Sequence, residues 1–314
     1  MSSTRNRVRA ALLAAGGAPA AGLPASHAGP PIQQPFGSAE RVEHPAGLRA
    51  IDPGAPVAPP DGIGFLDGIQ RYTVEGHFSL NPVVRGYVAA AVLVRRDRAL
   101  ERATHAWSEF LVIPPARLTP RQQQALKALD LEILESEAGP RAHPLMDVHA
   151  AAVQVERRRE ETERRVALEF ATRDGAWLVV DGAITGLPLP KTFHNVIGVV
   201  KSHETQFLSG DDLGVALTLP AGHRTSVFAR VTESGKRVFT WYLRLWSSDG
   251  EGLLHGLVRV ERPDRPACVD DADAVSRWIV AEKAPVASPD RRWDRLLYPV
   301  HKVEDYLRAQ AGAG

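Results

Sequence analysis

The sequence predicts an α/β chain built on a mixed sheet flanked by helices. Three observations predict it. Short apolar runs end in charge or glycine, as buried strands do. Two long segments with helical apolar spacing lie between those runs. An early group of strands has no helix inside it, which suggests an antiparallel meander at one side of the sheet.

Residues 1–60 are expected to form an extended or disordered arm rich in Pro, Gly and Ala. Arg5, Arg7 and Arg9 precede an Ala/Gly stretch with the outline of a secretory signal, but Pro19 interrupts it and its hydrophobicity is weak. The folded domain is expected over 61–314. GIGFLDGIQRYTVEGHF reads as a strand, a glycine-containing turn and a second strand, and GYVAAAVLVRR (86–96) as a third. A helix is predicted over 119–137, with Thr119 as N-cap and Pro120 in the first turn. A second is predicted over 145–172, where the dense run QVERRREETERRVALEF is mainly a solvated, ion-paired face. AWLVVDGAI (176–184) and NVIGVVKSH (195–203) read as buried central strands. Further strands are predicted at 224–231, 237–246 and 253–260, and helices at 270–283 and 299–310.

The 314 residues suffice to bury a core, and 44% apolar with 24% charged residues is ordinary for a globular protein. A net charge of +1 gives no global basic field, so any polyanion-binding surface is a local patch. One cysteine, Cys268, rules out an intrachain disulfide framework or a multi-cysteine zinc site and suits a cytoplasmic location. No run of about 18 apolar residues occurs, so no membrane span is expected. The P-loop, zincin and nucleophile-elbow patterns are absent, so any ATP-driven step belongs to a partner.

Two segments share one grammar of apolar strand, Asp, Gly and apolar residue: GFLDGI (64–69) and LVVDGAI (178–184). A carboxylate at a strand end sits on the rim of the sheet, where ligand crevices form. Glycine beside it permits a sharp turn or close approach. Taken singly, each Asp-Gly is more often a plain turn. As a pair, Asp67 and Asp181 are candidates to hold a divalent cation through hard oxygen donors. Lys201, ending its strand, is placed to meet a scissile phosphate or to offset carboxylate repulsion, and His203 follows two residues later. Arg224 and Arg244 lie in predicted strands and are candidates for phosphate binding, and Tyr72 for facing substrate. Trp241, Tyr242 and Trp246 are better read as core than as base-stacking groups.

The order of GFLDGIQRY, a glutamate-bearing charged helix, WLVVDGAI, NVIGVVKSHETQFL and LLYPVHKVEDYL resembles the NurA family of DNA-repair nucleases, from about residue 62 onward. The resemblance implies a ribonuclease H-like (Piwi-like) core and a metal-dependent DNA nuclease. It also implies Mn²⁺ (or Mg²⁺), as two ions, a homodimer and a HerA-like hexameric ATPase partner. By position, Asp67 and Asp181 resemble the family's metal-binding aspartates, and His301 its C-terminal histidine. The family also places a glutamate on the preceding helix, where Glu160, Glu161, Glu163 and Glu169 compete. Glu163 is chosen because it shares a helical face with Val166, Ala167 and Phe170. The alternative is an inactive ribonuclease H-like module that binds nucleic acid or protein, since fold does not fix function.

Overall fold

Parts of the segment expected as an arm outside the domain, within residues 4–19 and 38–51, are built into it. In this computed structural model the described residues are 4–19, 38–97, 99–137, 139, 143–173, 175–187, 189–190, 192–202, 207–231, 235–248, 253–284, 295 and 297–311. Helix α1 (Thr4–Ala14) buries Val8 and Leu12 against Phe78, Val83 and Leu111. Strand β1 (Ala18–Pro19) pairs with β4 (Gly64–Phe78). Strands β2 (Ser38–Arg41) and β3 (Ala50–Ile51) pair with strands from the far end of the chain. These pairings are non-local, so local composition carries no sign of them.

β4 is one continuous strand of 15 residues, not the expected strand, turn and strand. Gly68 stays in the ladder opposite Ala90, and the irregularity lies further on, between Val74 and Gly76. Ser79, at φ 54°, turns the chain into β5 (Asn81–Arg96), and Asp97, at φ 51°, turns it into β6 (Ala99–Ile113). Positive φ at such positions suits tight hairpin connections. β6, which the sequence reading leaves unassigned, completes an antiparallel β4–β5–β6 meander. The predicted helix over 119–137 is shorter: α2 (Pro120–Lys127) keeps the Thr119 capping box. The chain then passes Asp130 at φ 56° into β7 (Glu132–Glu135), which runs parallel to β6. Its apolar Ile133 and Leu134 fit a short strand as well as a helical stripe.

The long helix α3 (Pro144–Phe170) buries Ala151, Val155, Thr162, Val166 and Phe170, a stripe at four- and seven-residue spacing. It packs on the face of the meander carrying Leu66, Ala90 and Val92. Gly64 makes room for the Phe170 ring, since a Cβ there would lie 2.6 Å from Cζ. Emptying that slot by Phe170→Ala would cost about 3–5 kcal/mol. From α3 the chain returns to β8 (Leu178–Asp181), parallel to β4, and then β9 (Val196–Val200), parallel to β8.

Helix α4 (Gly210–Leu217) leads into β10 (Arg224–Thr225), β11 (Phe228–Val231), β12 (Arg237–Arg244) and β13 (Leu257–Pro263), an antiparallel extension that joins β9 through β13. The spatial order is β2-β11-β12-β13-β9-β8-β4-β5-β6-β7, in a sheet of 13 strands among the described residues. Short helices α5 (Ala267–Asp270) and α6 (Ala272–Ala281) and the closing α7 (Tyr298–Ala311) cover the face opposite α3. There Val275, Ile279, Val300, Val303 and Leu307 pack on Phe65, Ile69, Val179 and Val199. A mixed α/β sheet flanked by helices is the fold class predicted from sequence. Among the described residues no helix is long and apolar enough to cross a membrane.

Candidate active site

Side chains alternate across a sheet, so odd-numbered positions of β4, β8 and β9 share the α7 face. Leu66 opposite Val180 is the last rung of the β4–β8 ladder. Asp67 and Asp181 are the next positions of these two parallel strands, on one face. β8 ends there, because Gly182, at φ 120°, turns the chain away. Beyond Leu66, β4 has no strand partner on that edge among the described residues until β1 pairs with Gly76 and His77. Asp67 is therefore mid-strand, not at a strand end as the sequence suggests. It is open to ligand because its neighbour departs.

The electrostatics record the closeness of this pair. The Asp67 carboxyl is pushed well above the ordinary aspartate value. Burial contributes most, then the charge of Asp181, with a smaller contribution from Glu163. Lys201 and the Gly68 N–H, which donates to Asp67 Oδ1 at 2.7 Å, act in the opposite direction. Lys201 lies two positions beyond Val199, the rung partner of Asp181, and its Nζ donates to Asp181 Oδ2 at 2.8 Å.

Glu163 reaches the same place from the other layer. Its carboxylate lies over Gly68, in space that any Cβ there would overlap. Burial raises the Glu163 carboxyl, and the Arg159 guanidinium, which donates to it, partly offsets that. Arg159 Nε also donates to Gln70 Oε1 at 3.2 Å. His301 sits in the first turn of α7. Its Nδ1 is buried and makes no hydrogen bond among the described residues, with Glu304 Oε2 3.9 Å away. Asp67, Asp181, Lys201, His301, Arg159 and Glu304 all open onto one pocket of about 250 Å³. Arg159, from the basic run of α3, and Glu304, which no motif singles out, are further members of the site. Their signal is helical spacing, Arg159 four residues before Glu163 and Glu304 three after His301.

Three expected substrate-binding residues lie elsewhere. Tyr72 has the opposite parity to Asp67 and packs among Val84, Val88, Phe110 and Val155 beneath α3. Arg224 is buried and engaged by Glu43 and Asp273, with Nε 2.6 Å from Asp273 Oδ1. Arg244 is fully buried and donates to the carbonyls of Leu217, Leu219, Leu253 and His255, tying two loops to β12. Both arginines are structural because their partners come from distant segments. Trp241 and Tyr242 are core, as read from sequence. His203 lies outside the described residues.

The donor chemistry suits a hard divalent cation: two aspartates on adjacent strands, a glutamate over Gly68 from the α3 side and an imidazole nitrogen without a hydrogen bond among the described residues. The spacing is not yet that of a closed ligand shell. No group of three or more such donors converges tightly enough to hold an ion among the described residues. Lys201 pairs with Asp181 and Arg159 with Glu163.

No family model matches the chain, and no curated protein matches its sequence. Among solved structures, the NurA nuclease from Sulfolobus solfataricus is similar over 80% of each chain, at 10% identity and a TM-score of 0.49.

Proposed function

We propose that the chain is a metal-dependent deoxyribonuclease, a phosphodiester hydrolase acting on DNA ends or unpaired strands. The observation that carries this reading is the side-by-side placement of Asp67 and Asp181 on one sheet face, close enough that the charge of Asp181 disfavours ionisation of Asp67, in a pocket that also holds Lys201 and Arg159. Such a pair favours a bound cation, which relieves the repulsion. The residues that would hold Mn²⁺ or Mg²⁺, as one ion or two, are Asp67, Asp181, Glu163 and His301. Bound there, the metal would supply an activated water and neutralise charge developing at phosphorus.

The chain's own cations have two alternative partners. Lys201 and Arg159 now neutralise Asp181 and Glu163. In going over to phosphate oxygens they would orient the diester, Arg159 as a fork and Lys201 as a point charge, and leave the carboxylates free as ligands. The sequence resemblance extends the reading to a homodimer working with a HerA-like ATPase in DNA end processing, repair or defence. Stimulation of DNA degradation by such an ATPase tests that extension, and indifference to it removes the partner.

A second reading, the inactive binding module, draws on one observation: both Asp181 and Glu163 are already ion-paired, and three donors do not converge among the described residues. The two part in a single assay. Purified protein with Mn²⁺ degrades linear or single-stranded DNA on the first reading, and binds it without turnover on the second.

A further inference from the structure

A second concavity, of about 670 Å³, opens on the same sheet face as Asp67. Its floor is the meander. Cross-strand register places Arg71 opposite Tyr87, and Ala89 opposite Trp107. Trp107 is 59% exposed, a large cost for an indole left in water. Its ring stacks on Tyr87, with centroids 6.2 Å apart and planes at 22°, which braces the indole while much of it stays open to solvent. Charge in the groove is uneven. Arg85 is matched by Glu75 and Glu109, and Arg5 lies 3.7 Å from Glu75. Arg71 is exposed and forms no ion pair among the described residues. The surplus is positive, next to a flat aromatic platform.

Two elements connect this groove to the pocket of Asp67 and Asp181. Along β4, Asp67 and Arg71 lie on one face four residues apart, about 13 Å at the rise of a strand. Along α7, one stripe runs from Val300 and Glu304 at the pocket to Leu307 and Ala311 at the groove. About 13 Å corresponds to roughly four stacked nucleotides at ~3.4 Å each. We propose that the Tyr87–Trp107 platform with Arg71 is a binding site for unpaired bases, gripping single-stranded DNA about four nucleotides from the bond presented to Asp67 and Asp181. Bases stack on aromatic faces only when unpaired, whereas a duplex offers this face phosphates alone. Continuity with a phosphodiester pocket and the surplus cation favour nucleic acid over a protein partner.

The inference rests on the proposed nuclease for the direction of the strand, but its test does not need turnover. Fluorescence anisotropy in EDTA measures binding of a labelled oligothymidylate of about a dozen nucleotides. Trp107→Ala removes an exposed side chain and leaves the core intact. It should weaken binding roughly 5- to 150-fold, the range for losing one stacked base. Arg71→Ala should make the plot of log affinity against log salt shallower by about 0.7. A blunt duplex of equal length should lose little from Trp107→Ala. Single-strand binding that depends on Trp107 in a protein without Mn²⁺-dependent cleavage would sink the nuclease reading and leave this inference standing. Cleavage by the wild type with oligothymidylate affinity untouched by Trp107→Ala would do the reverse. No binding by the wild type, or a change only in oligomeric state on gel filtration of Trp107→Ala, would overturn the platform, the latter pointing to an interface between copies.

Discussion

Replacing Asp67 by asparagine should abolish DNA cleavage and at the same time make the protein more stable. Asparagine keeps the shape of the side chain and an oxygen to accept the Gly68 N–H, which meets Asp67 Oδ1 at 2.7 Å. It removes a charge that the folded state disfavours, through burial first and Asp181 second. A tenfold bias in a proton equilibrium is about 1.4 kcal/mol. Removing one disfavoured charge belongs with ordinary stabilising single substitutions, so above the raised titration of Asp67 the gain should be about 1–2 kcal/mol. At about 1.5 °C per kcal/mol for a chain of this length, Tm should rise by about 1.5–3 °C. The pH dependence has a definite sign. Because the folded-state carboxyl is raised, the advantage of Asp67→Asn is full above that raised value and shrinks as pH falls through it. It vanishes below the ordinary 3.8, where Asp67 is neutral folded and unfolded alike. Differential scanning calorimetry of both proteins across pH reads this directly. Mn²⁺ should raise the Tm of the wild type and leave Asp67→Asn unmoved. An Asp67→Asn protein that melts below the wild type at neutral pH, or a Tm difference independent of pH, would refute the electrostatic reasoning.

Three further outcomes follow from the same geometry. Gly68→Ala places a Cβ in the space of the Glu163 carboxylate, so it should break the Arg159–Glu163 contact and cut turnover at least about tenfold for a stability cost of about 1 kcal/mol, read by kcat and urea melts; unchanged kcat would remove Glu163 from the site. Lys201→Met frees Asp181 from a partner at 2.8 Å and should tighten Mn²⁺ binding about two- to fivefold in isothermal titration while slowing cleavage; weaker Mn²⁺ binding would count against competition between lysine and metal. Arg224→Ala leaves Glu43 and Asp273 without their arginine and should cost about 2–3 kcal/mol in a urea melt, less than for a fully buried pair because Asp273 is half exposed, with no change in the salt dependence of DNA binding; a shallower salt slope would restore Arg224 as a phosphate contact.

Much of the site is legible in sequence because alternation and helical spacing are local rules. Asp67, Asp181 and Lys201 reach one face by period-two alternation on three neighbouring strands. Glu163 reaches them because Val166, Ala167 and Phe170 fix which side of α3 is inward. The misreadings of Arg224 and of residues 38–51 have one physical cause, partners far away in the chain. Arg224 resembles a phosphate ligand until Glu43, 181 residues earlier, is seen to hold it. Residues 38–41 and 50–51 resemble an arm until β11 and β10 supply the other half of each ladder. Asp67 resembles a strand end because the Gly after it resembles a turn, whereas the ladder with β5 carries β4 straight through. Trp107 belongs to β6, whose mixed pattern of charged and apolar residues gives no clean strand period.

The most direct test of the central claim is a cleavage assay on linear and single-stranded DNA with three proteins, wild type, Asp67→Asn and Asp181→Asn, in Mn²⁺ and in EDTA. The account predicts degradation by the wild type in Mn²⁺ alone and none by either variant, with both variants folded by circular dichroism. Full cleavage by Asp181→Asn, or equal cleavage by the wild type in EDTA, would contradict it.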